Sequence, residues 1–594
     1  MLKRLFCSCC SSNMSLLFIG LMFLLPFINM YHQLPIPSFY SEWIAGALGL
    51  TAVAPMLSTT IRSEIRIPQI SLVFFALTVI LGAQWAIGML HSAPYALLIA
   101  SYLIWAFLLT LVGSHLRQEL GWYKLVNTLA FFLVVAGVIS GGIVVLQIVT
   151  RTGGAIPFMP YLESYGAISQ PNHFADFTAL AIASLIYLYI KGRFSTAFFT
   201  LMLAWFLLML AASGSRSSWL YLIATTILAL VMQVKSMQQN RNSASTRNLV
   251  YICLATLPAF ALIHLFTNYV APDGLFNLST DRIVNGINID TPSARLQIWY
   301  DSLRLFWQSP WLGIGAGEIN IASFLLLDYP SAMAYKSIFE HAHNLFLHLL
   351  TEMGIGAFLI VLACLAIWVY KFKWRELNPE TWWLISLLAI LGIHSMLEYP
   401  LWYAYFLGIA AILLGAGDEK FITINTSKIS SKLIERLTHS VLAIALLLGA
   451  LTLGTMLIGH MKVENSIYQS ATADANQQKE ELDWVYRYTL LSPYAELMHA
   501  VSMVPDQNNI DHQFALNQSA MNFRPFSKIA YQQVVLLKLK GDDLNARKLL
   551  KRTLIVYPAN LKGIVKSMSP QYRKEFLQVL TEVNPALSNQ FVAN

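Results

Sequence analysis

The sequence predicts an all-α, polytopic helical membrane protein of about thirteen spans, closed by a C-terminal soluble helical, tetratricopeptide-like domain. Three observations predict it. Composition pairs 56% hydrophobic residues with only 12% charged ones, about half the charge of soluble domains. Apolar runs recur, uncharged in Ser15–Tyr31, Ile67–Met89, Leu125–Val149 and Leu249–Phe266 and carrying the single charge of Glu352 in Leu345–Val369, each near the roughly 20 residues that a helix needs to cross hydrocarbon. Lys and Arg gather in alternate loops. A single large soluble core would instead need shorter, amphipathic helices.

The spans fall near residues 15–31, 42–57, 68–88, 94–113, 125–148, 174–190, 196–212, 217–234, 248–267, 344–369, 381–395, 400–416 and 438–459. With the N-terminus inside, the inner loops hold Lys3, Arg4, Arg62, Arg66, Arg117, Lys124, Lys191, Arg193, Lys235, Arg241 and Arg247. They also hold Lys371, Lys373, Arg375, Lys420, Lys428, Lys432 and Arg436. The outer connections hold only Arg151, Arg216, Arg282, Arg295, Arg304 and Lys336. This asymmetry sets orientation by the positive-inside rule and places everything after residue 460 outside. The formal charge of +8 mostly reflects those inner loops, so it points to anionic membrane lipids and not to nucleic acid.

Cysteines add little. Cys7, Cys9 and Cys10 precede the first span with no histidine nearby, Cys253 and Cys364 fall within spans, and the outer segments contain none. The exported parts therefore do not depend on disulfides. The first span lacks a small-residue cleavage site and reads as a retained anchor.

These readings give a membrane domain over residues 1–459, with outer loops at about 149–173 and 269–343, and an outer helical domain over 460–594. In the longer loop, Thr291-Pro292 reads as a helix cap followed by proline at the first helical position. Leu296, Trp299, Tyr300, Leu303, Phe306 and Trp307 then form one apolar stripe, ended by Ser309-Pro310. Such a helix lies along the membrane surface. Arg295, about 80° from the stripe's centre at roughly 100° per residue, would sit at headgroup depth. In the tail, Tyr531–Gly541 followed by Ala546, Leu550, Leu554, Tyr557 and Pro558 resembles one tetratricopeptide helix pair, a unit that generally binds proteins or peptides.

Polar residues pool at the outer ends of the spans. The clusters are Ser169-Gln170-Pro171-Asn172-His173, Ser213 to Ser218 around Arg216, Arg295 with its helix, Glu340-His341-Ala342-His343-Asn344, and His394 through Glu398-Tyr399-Pro400-Leu401-Trp402-Tyr403. Polar groups at the bilayer edge are expensive unless they face a cavity or each other. Arg216 and Arg295 can each grip a phosphate bidentately. A histidine such as His343 can serve as base for a hydroxyl nucleophile, with His341 and His173 as alternatives. Metal binding by His341 and His343 with Glu340 is weakly supported at that spacing. Gly313-Ile314-Gly315-Ala316-Gly317 reads as a tight turn, and no phosphate-cradling loop or nucleotide domain is present. The donor is thus expected to arrive already activated in the membrane.

At these residues the chain resembles the O-antigen ligase and polymerase superfamily, and within it the bacterial O-oligosaccharyltransferases that glycosylate pilins and other exported proteins. The resemblance rests on Gln170-Pro171-Asn172-His173-Phe174-Ala175, Gly214-Ser215-Arg216, Arg295-Leu296-Gln297-Ile298-Trp299, Pro310-Trp311-Leu312-Gly313-Ile314-Gly315, His341-Ala342-His343-Asn344-Leu345-Phe346-Leu347 and Glu398-Tyr399-Pro400-Leu401-Trp402-Tyr403. It implies a bacterial inner-membrane enzyme with a periplasmic C-terminal domain, an undecaprenyl-diphosphate-linked oligosaccharide donor, and transfer to a serine or threonine of an acceptor protein such as a pilin. It implies no metal and no other cofactor. It makes His343, Arg216 and Arg295 the catalytic candidates, with Gln170, Asn172, His173, His341, Asn344, Glu398 and Tyr403 around the substrate. A ligase or polymerase acting on a sugar is the alternative within the superfamily. A lipid-linked glycan transporter is the alternative outside it, and should show broken helices and ionisable residues near mid-membrane, neither of which the sequence reveals.

Overall fold

The computed structural model describes residues 8–58, 64–151, 166–168, 170–239, 244–270, 294–328, 338–374, 376–425, 431–468, 475–505 and 507–592. Most of the 149–173 loop, Ser169 and the Thr291-Pro292 cap lie outside these residues. The chain is all-α except for one two-stranded ribbon. In order it runs α1 (Ser8–Met22), α2 (Phe39–Val53), β1 (Glu64–Pro68), α3 (Leu72–Ala86), α4 (Ala93–Arg151), α5 (Pro171–Ile190), α6 (Thr196–Ala212), α7 (Ser217–Gln238) and α8 (Ala244–Val270). There follow α9 (Ala294–Gln308), α10 (Ile319–Leu325), α11 (Leu345–Lys371), α12 (Pro379–Leu397), α13 (Ala404–Gly417), β2 (Phe421–Asn425) and α14 (Ser431–Tyr468). The tail adds α15 (Ala475–Tyr488), α16 (Ser492–Ser502), α17 (Ile510–Phe523), α18 (Ser527–Leu539), α19 (Asp543–Val556), α20 (Leu561–Ser567), α21 (Pro570–Val583) and α22 (Pro585–Val592).

Every segment read as a span is helical. Eight described helices are long and apolar enough to cross a membrane, one of them α4, with shorter apolar helices at Ser11–Phe27, Thr196–Ala212 and Ala404–Gly417. α4 is two helices joined at Gly121, whose φ of 74° breaks the ladder. α11 is likewise broken at Gly354. Gly121 falls between the spans read at 94–113 and 125–148, whereas Gly354 breaks the span read at 344–369, where the sequence reading found no broken helix.

Two compact units divide the chain. The first comprises Met1–Ala76, Tyr102–Asp290 and Ile360–Leu453; the second comprises Leu77–Ser101, Thr291–Leu359 and Gly454–Asn594. The tail from Gly454 onward and residues Thr291–Leu359 belong to the same unit.

In the first unit α5 is central: 89% of its most apolar window is buried, against α6, α7, α8 and α12. Its start is encoded locally, since Gln170 accepts from the His173 N–H and Pro171 occupies the first turn. α12 begins with a capping box between Asn378 and Thr381. Lys191 meets Glu380 at 2.6 Å at one end of the α5–α12 pair, and Asn172 meets Glu398 at the other. Loops assigned to the inner face join at the Lys191 end or among themselves. Arg117 donates to Ala416 and Asp418 carbonyls and pairs with Glu419, and β1 pairs antiparallel with β2, Arg66 opposite Thr423. Residues that the charge rule puts on one face thus contact one another.

In the second unit an apolar core is shared by tail and loop. Ile321, Phe324 and Leu327 are buried with Leu497, Met521, Tyr531, Val534, Leu550 and Phe576. The expected helix pair is α18–α19, turned at Gly541 with φ 80° and capped by Asp542 on the Asn545 N–H.

Candidate active site

In the first unit, three sequence motifs meet at one amide. Asn172, in the first turn of α5, donates from Nδ2 to Oε1 of Glu398 at 2.9 Å. Its Oδ1 accepts from the Ser215 hydroxyl at 2.8 Å. Ser215 belongs to the α6–α7 turn, where Gly214 takes a φ of 62°, a conformation that glycine reaches without a Cβ penalty. The next residue, Arg216, stands exposed at the N-cap of α7 with no side-chain capping bond. A guanidinium held there is open to a solvent-side phosphate. Gln170, in contrast, uses its Oε1 to cap α5.

One turn along both helices lies a second rung, of which the sequence reading named His394 and missed Asp176. His394 Nδ1 is 2.7 Å from Asp176 Oδ2, and both side chains are fully buried. The i, i+4 spacing of Asn172 with Asp176 and of His394 with Glu398 was the available signal. His173 is 2% exposed, its ring 5.1 Å from that of His394 and 4.7 Å from that of Tyr403. His173 is thus packed inside the bundle. Tyr403 is half-buried and begins α13.

In the second unit, α9 turns Ile298, Asp301, Ser302 and Leu305 inward. Of the predicted stripe, Leu296, Tyr300, Leu303 and Trp307 stay exposed, whereas Phe306 is buried with Ile298 and Leu305 and Trp299 is half-buried. Asp301 is held by Gln297 at 3.0 Å and Arg304 at 3.3 Å. Arg295 is half-buried at the start of the helix. After α9, the turn expected from the glycines is present: Gly313, Gly315 and Gly317 all have positive φ. It fills the break in α11. Ile314 and Gly315 N–H groups donate to the Thr351 and Glu352 carbonyls, and the Ile355 N–H donates to Pro310 O. Gln84 bridges the same place, donating to Leu312 O at 2.6 Å and Glu352 O at 2.7 Å. The backbone groups freed by the break are therefore satisfied by protein.

The histidine loop packs on α9 and α10 through Phe339 and Ala342. Glu340 pairs with Arg524 of the tail at 3.2 Å. Burial, reinforced by the positive charge that His348 and His343 can carry, pushes His341 well below its ordinary value. Asn344 caps α11, its Oδ1 accepting from the Phe346 and Leu347 N–H groups at 3.1 Å each. Two further residues unnoticed in the sequence lie beneath: His348 Nε2 is 2.9 Å from Glu352 Oε2, both buried. The candidates therefore divide, with Gln170, Asn172, His173, Arg216, Glu398 and Tyr403 in the first unit and Arg295, His341, His343 and Asn344 in the second.

Residues 199–362 match the family described as O-antigen ligase, and residues 382–570 the family described as virulence factor membrane-bound polymerase, C-terminal. The chain is similar to the General O-oligosaccharyltransferase of Acinetobacter baylyi (strain ATCC 33305 / BD413 / ADP1), 24% identical over 410 residues, which covers 67% of this chain and 69% of that protein. It is also similar to the ComP-specific O-oligosaccharyltransferase of the same organism, 23% identical over 381 residues, covering 63% and 66%. The chain is a membrane-bound glycosyltransferase with an O-antigen ligase domain. Both of these relatives are named O-oligosaccharyltransferases.

Proposed function

We propose that this protein transfers an oligosaccharide en bloc from an undecaprenyl-diphosphate carrier to a serine or threonine hydroxyl of an exported protein such as a type IV pilin, on the periplasmic face of the inner membrane. The observation that carries the reading is the exposed Arg216 beside the Ser215–Asn172–Glu398 junction, on the face that the charge rule makes the outer one. In this reading Arg216 and Arg295 bind the donor's pyrophosphate, whose charge grows as it leaves. The acceptor oxygen bonds to the anomeric carbon, the carbon–oxygen bond to phosphate breaks, and the hydroxyl proton passes to His343. Direct displacement inverts the anomeric configuration.

The test is co-expression of the full chain with a lipid-linked glycan and candidate pilins, with the products weighed by mass spectrometry. Charge-assisted contacts to phosphate are worth about 1.5–3 kcal/mol each. Arg216→Lys and Arg295→Lys keep charge but lose the fork, so each should reduce transfer sharply at unchanged membrane levels. Near-normal transfer by both variants would remove the arginines from the donor site. The match to a membrane-bound polymerase favours a second reading, a sugar acceptor; glycan joined to glycan in the same experiment would select it.

A further inference from the structure

We infer that His348 and Glu352 are positioning residues for His343, fixing the direction from which its imidazole meets the acceptor. His343 is the one described non-glycine residue with a left-handed backbone, φ 51°. For an L-residue that conformation costs about 1–2 kcal/mol and persists only where the surroundings over-determine it. Both flanks are determined here. Downstream, Asn344 caps α11 through its side chain. Upstream, the Ser323 hydroxyl accepts from the Phe339 N–H at 3.2 Å and donates to Phe339 O at 3.3 Å. Ala342, adjacent to His343, is fully buried, and its N–H donates to Nδ1 of His348 at 3.4 Å.

That last contact fixes a chain of roles. An imidazole accepting at Nδ1 carries its proton on Nε2. In His348 this nitrogen faces the Glu352 carboxylate at 2.9 Å, one helical turn further along α11. Glu352 is held in turn, because its carbonyl accepts from Gly315 N–H and from Gln84 at the helix break. The order is therefore rigid turn, carboxylate, imidazole, backbone amide, and then the strained residue. A buried polar pair of this kind is often replaceable by apolar side chains without loss of stability. What an apolar pair could not supply is the acceptor for Ala342, and with it the backbone direction at His343. The neighbouring His341 ring, 5.6 Å from that of His348, is held by the same wall.

The inference rests on the reading of His343 as the base. Its test uses the full chain in liposomes with a lipid-linked oligosaccharide and an acceptor peptide. His348→Leu should lower kcat about tenfold to a hundredfold, the scale of an ångström's misplacement, with donor KM within about twofold. His348→Asn, whose Oδ1 can occupy the place of Nδ1, should recover most of kcat, as should Glu352→Gln. Combined with His343→Ala, His348→Leu should cause no further loss. Unchanged kcat in His348→Leu, with His343→Ala inactive, would overturn the positioning role alone. A loss that His348→Asn does not rescue, tracking a fall in thermal midpoint, would also overturn it. An active His343→Ala would overturn both the base assignment and this inference.

Discussion

A single amide, that of Asn172, satisfies Ser215 and Glu398 at once, so its removal strands two partners at the mouth of the bundle. Interhelical hydrogen bonds in membranes are worth about 0.6–1.7 kcal/mol each. Asn172→Ala should lower the thermal midpoint and also impair transfer. Asn172→Asp should be worse, because it puts a carboxylate against Glu398 in place of a donor. Equal midpoints for the wild type and both variants would show that the junction is incidental. At a second site, His91 donates its N–H to Glu318 Oε1 at 2.8 Å, while Nδ1 lies 2.6 Å from Oε2. The Glu318 hydrogen bond raises His91 above its ordinary 6.5. A raised value in the fold gives stabilisation that is complete below the unfolded value and lost as pH climbs through the folded one. The midpoint gap between the wild type and His91→Ala should therefore be widest below the ordinary histidine value of 6.5 and narrow as pH rises above it. It should also shrink with salt, because His91 is half exposed. A gap that widens with rising pH would contradict the assignment.

At the scale of elements, the break in α11 is the feature that composition hid. Leu345–Lys371 reads as one mainly apolar run, and a glycine in such a run says nothing of its φ. The signal lay elsewhere, in the Pro310-to-Gly317 segment whose glycines were legible as a turn but whose receiving groove was not. A Cβ on Gly354 would lie 2.3 Å from Trp311 O, at a φ of 77°. Gly354→Ala should therefore dislodge the turn and with it Glu352, cutting folded yield steeply. Gly356, where a Cβ meets nothing within 4 Å, is the matched control. Comparable yields of both alanine variants, read by size-exclusion profile, would show that the break tolerates a side chain. α9 was the more legible element, because its apolar residues recur at helical spacing and four of them stay on its exposed face. His348, Glu352 and Asp176 were missed because each looks like a lone polar residue in a span. For Asp176 only the pairing of two helices reveals the partner, whereas His348 and Glu352 sit one turn apart on α11, at a spacing that the sequence itself carries.

For the whole molecule, charge and apolar length were enough to read the membrane fold. They did not reveal which segments pack together, because long-range packing leaves no periodic mark. The tail looked separable in sequence; in the fold its core also encloses Ile321, Phe324 and Leu327, and Arg524 reaches Glu340 beside His341. A tail that only recruited acceptors could be removed without harm to short peptide acceptors. Truncation after Tyr468 should instead abolish transfer to peptides and pilins alike, with the loop becoming open to protease. Full peptide transfer by the truncated chain would restore a purely recruiting tail.

The central claim is that a lipid-linked glycan passes whole to a protein hydroxyl with His343 as base. Attack by a neutral hydroxyl gains about 10²–10⁴-fold from such a base. The most direct measurement is intact mass of a serine-bearing acceptor after incubation with purified protein and undecaprenyl-diphosphate-linked oligosaccharide in liposomes. The account predicts one full oligosaccharide mass added by the wild type, none by His343→Ala, and partial addition by His341→Ala. Glycan added equally by wild type and His343→Ala, or no addition to any protein acceptor by an intact wild type, would contradict it.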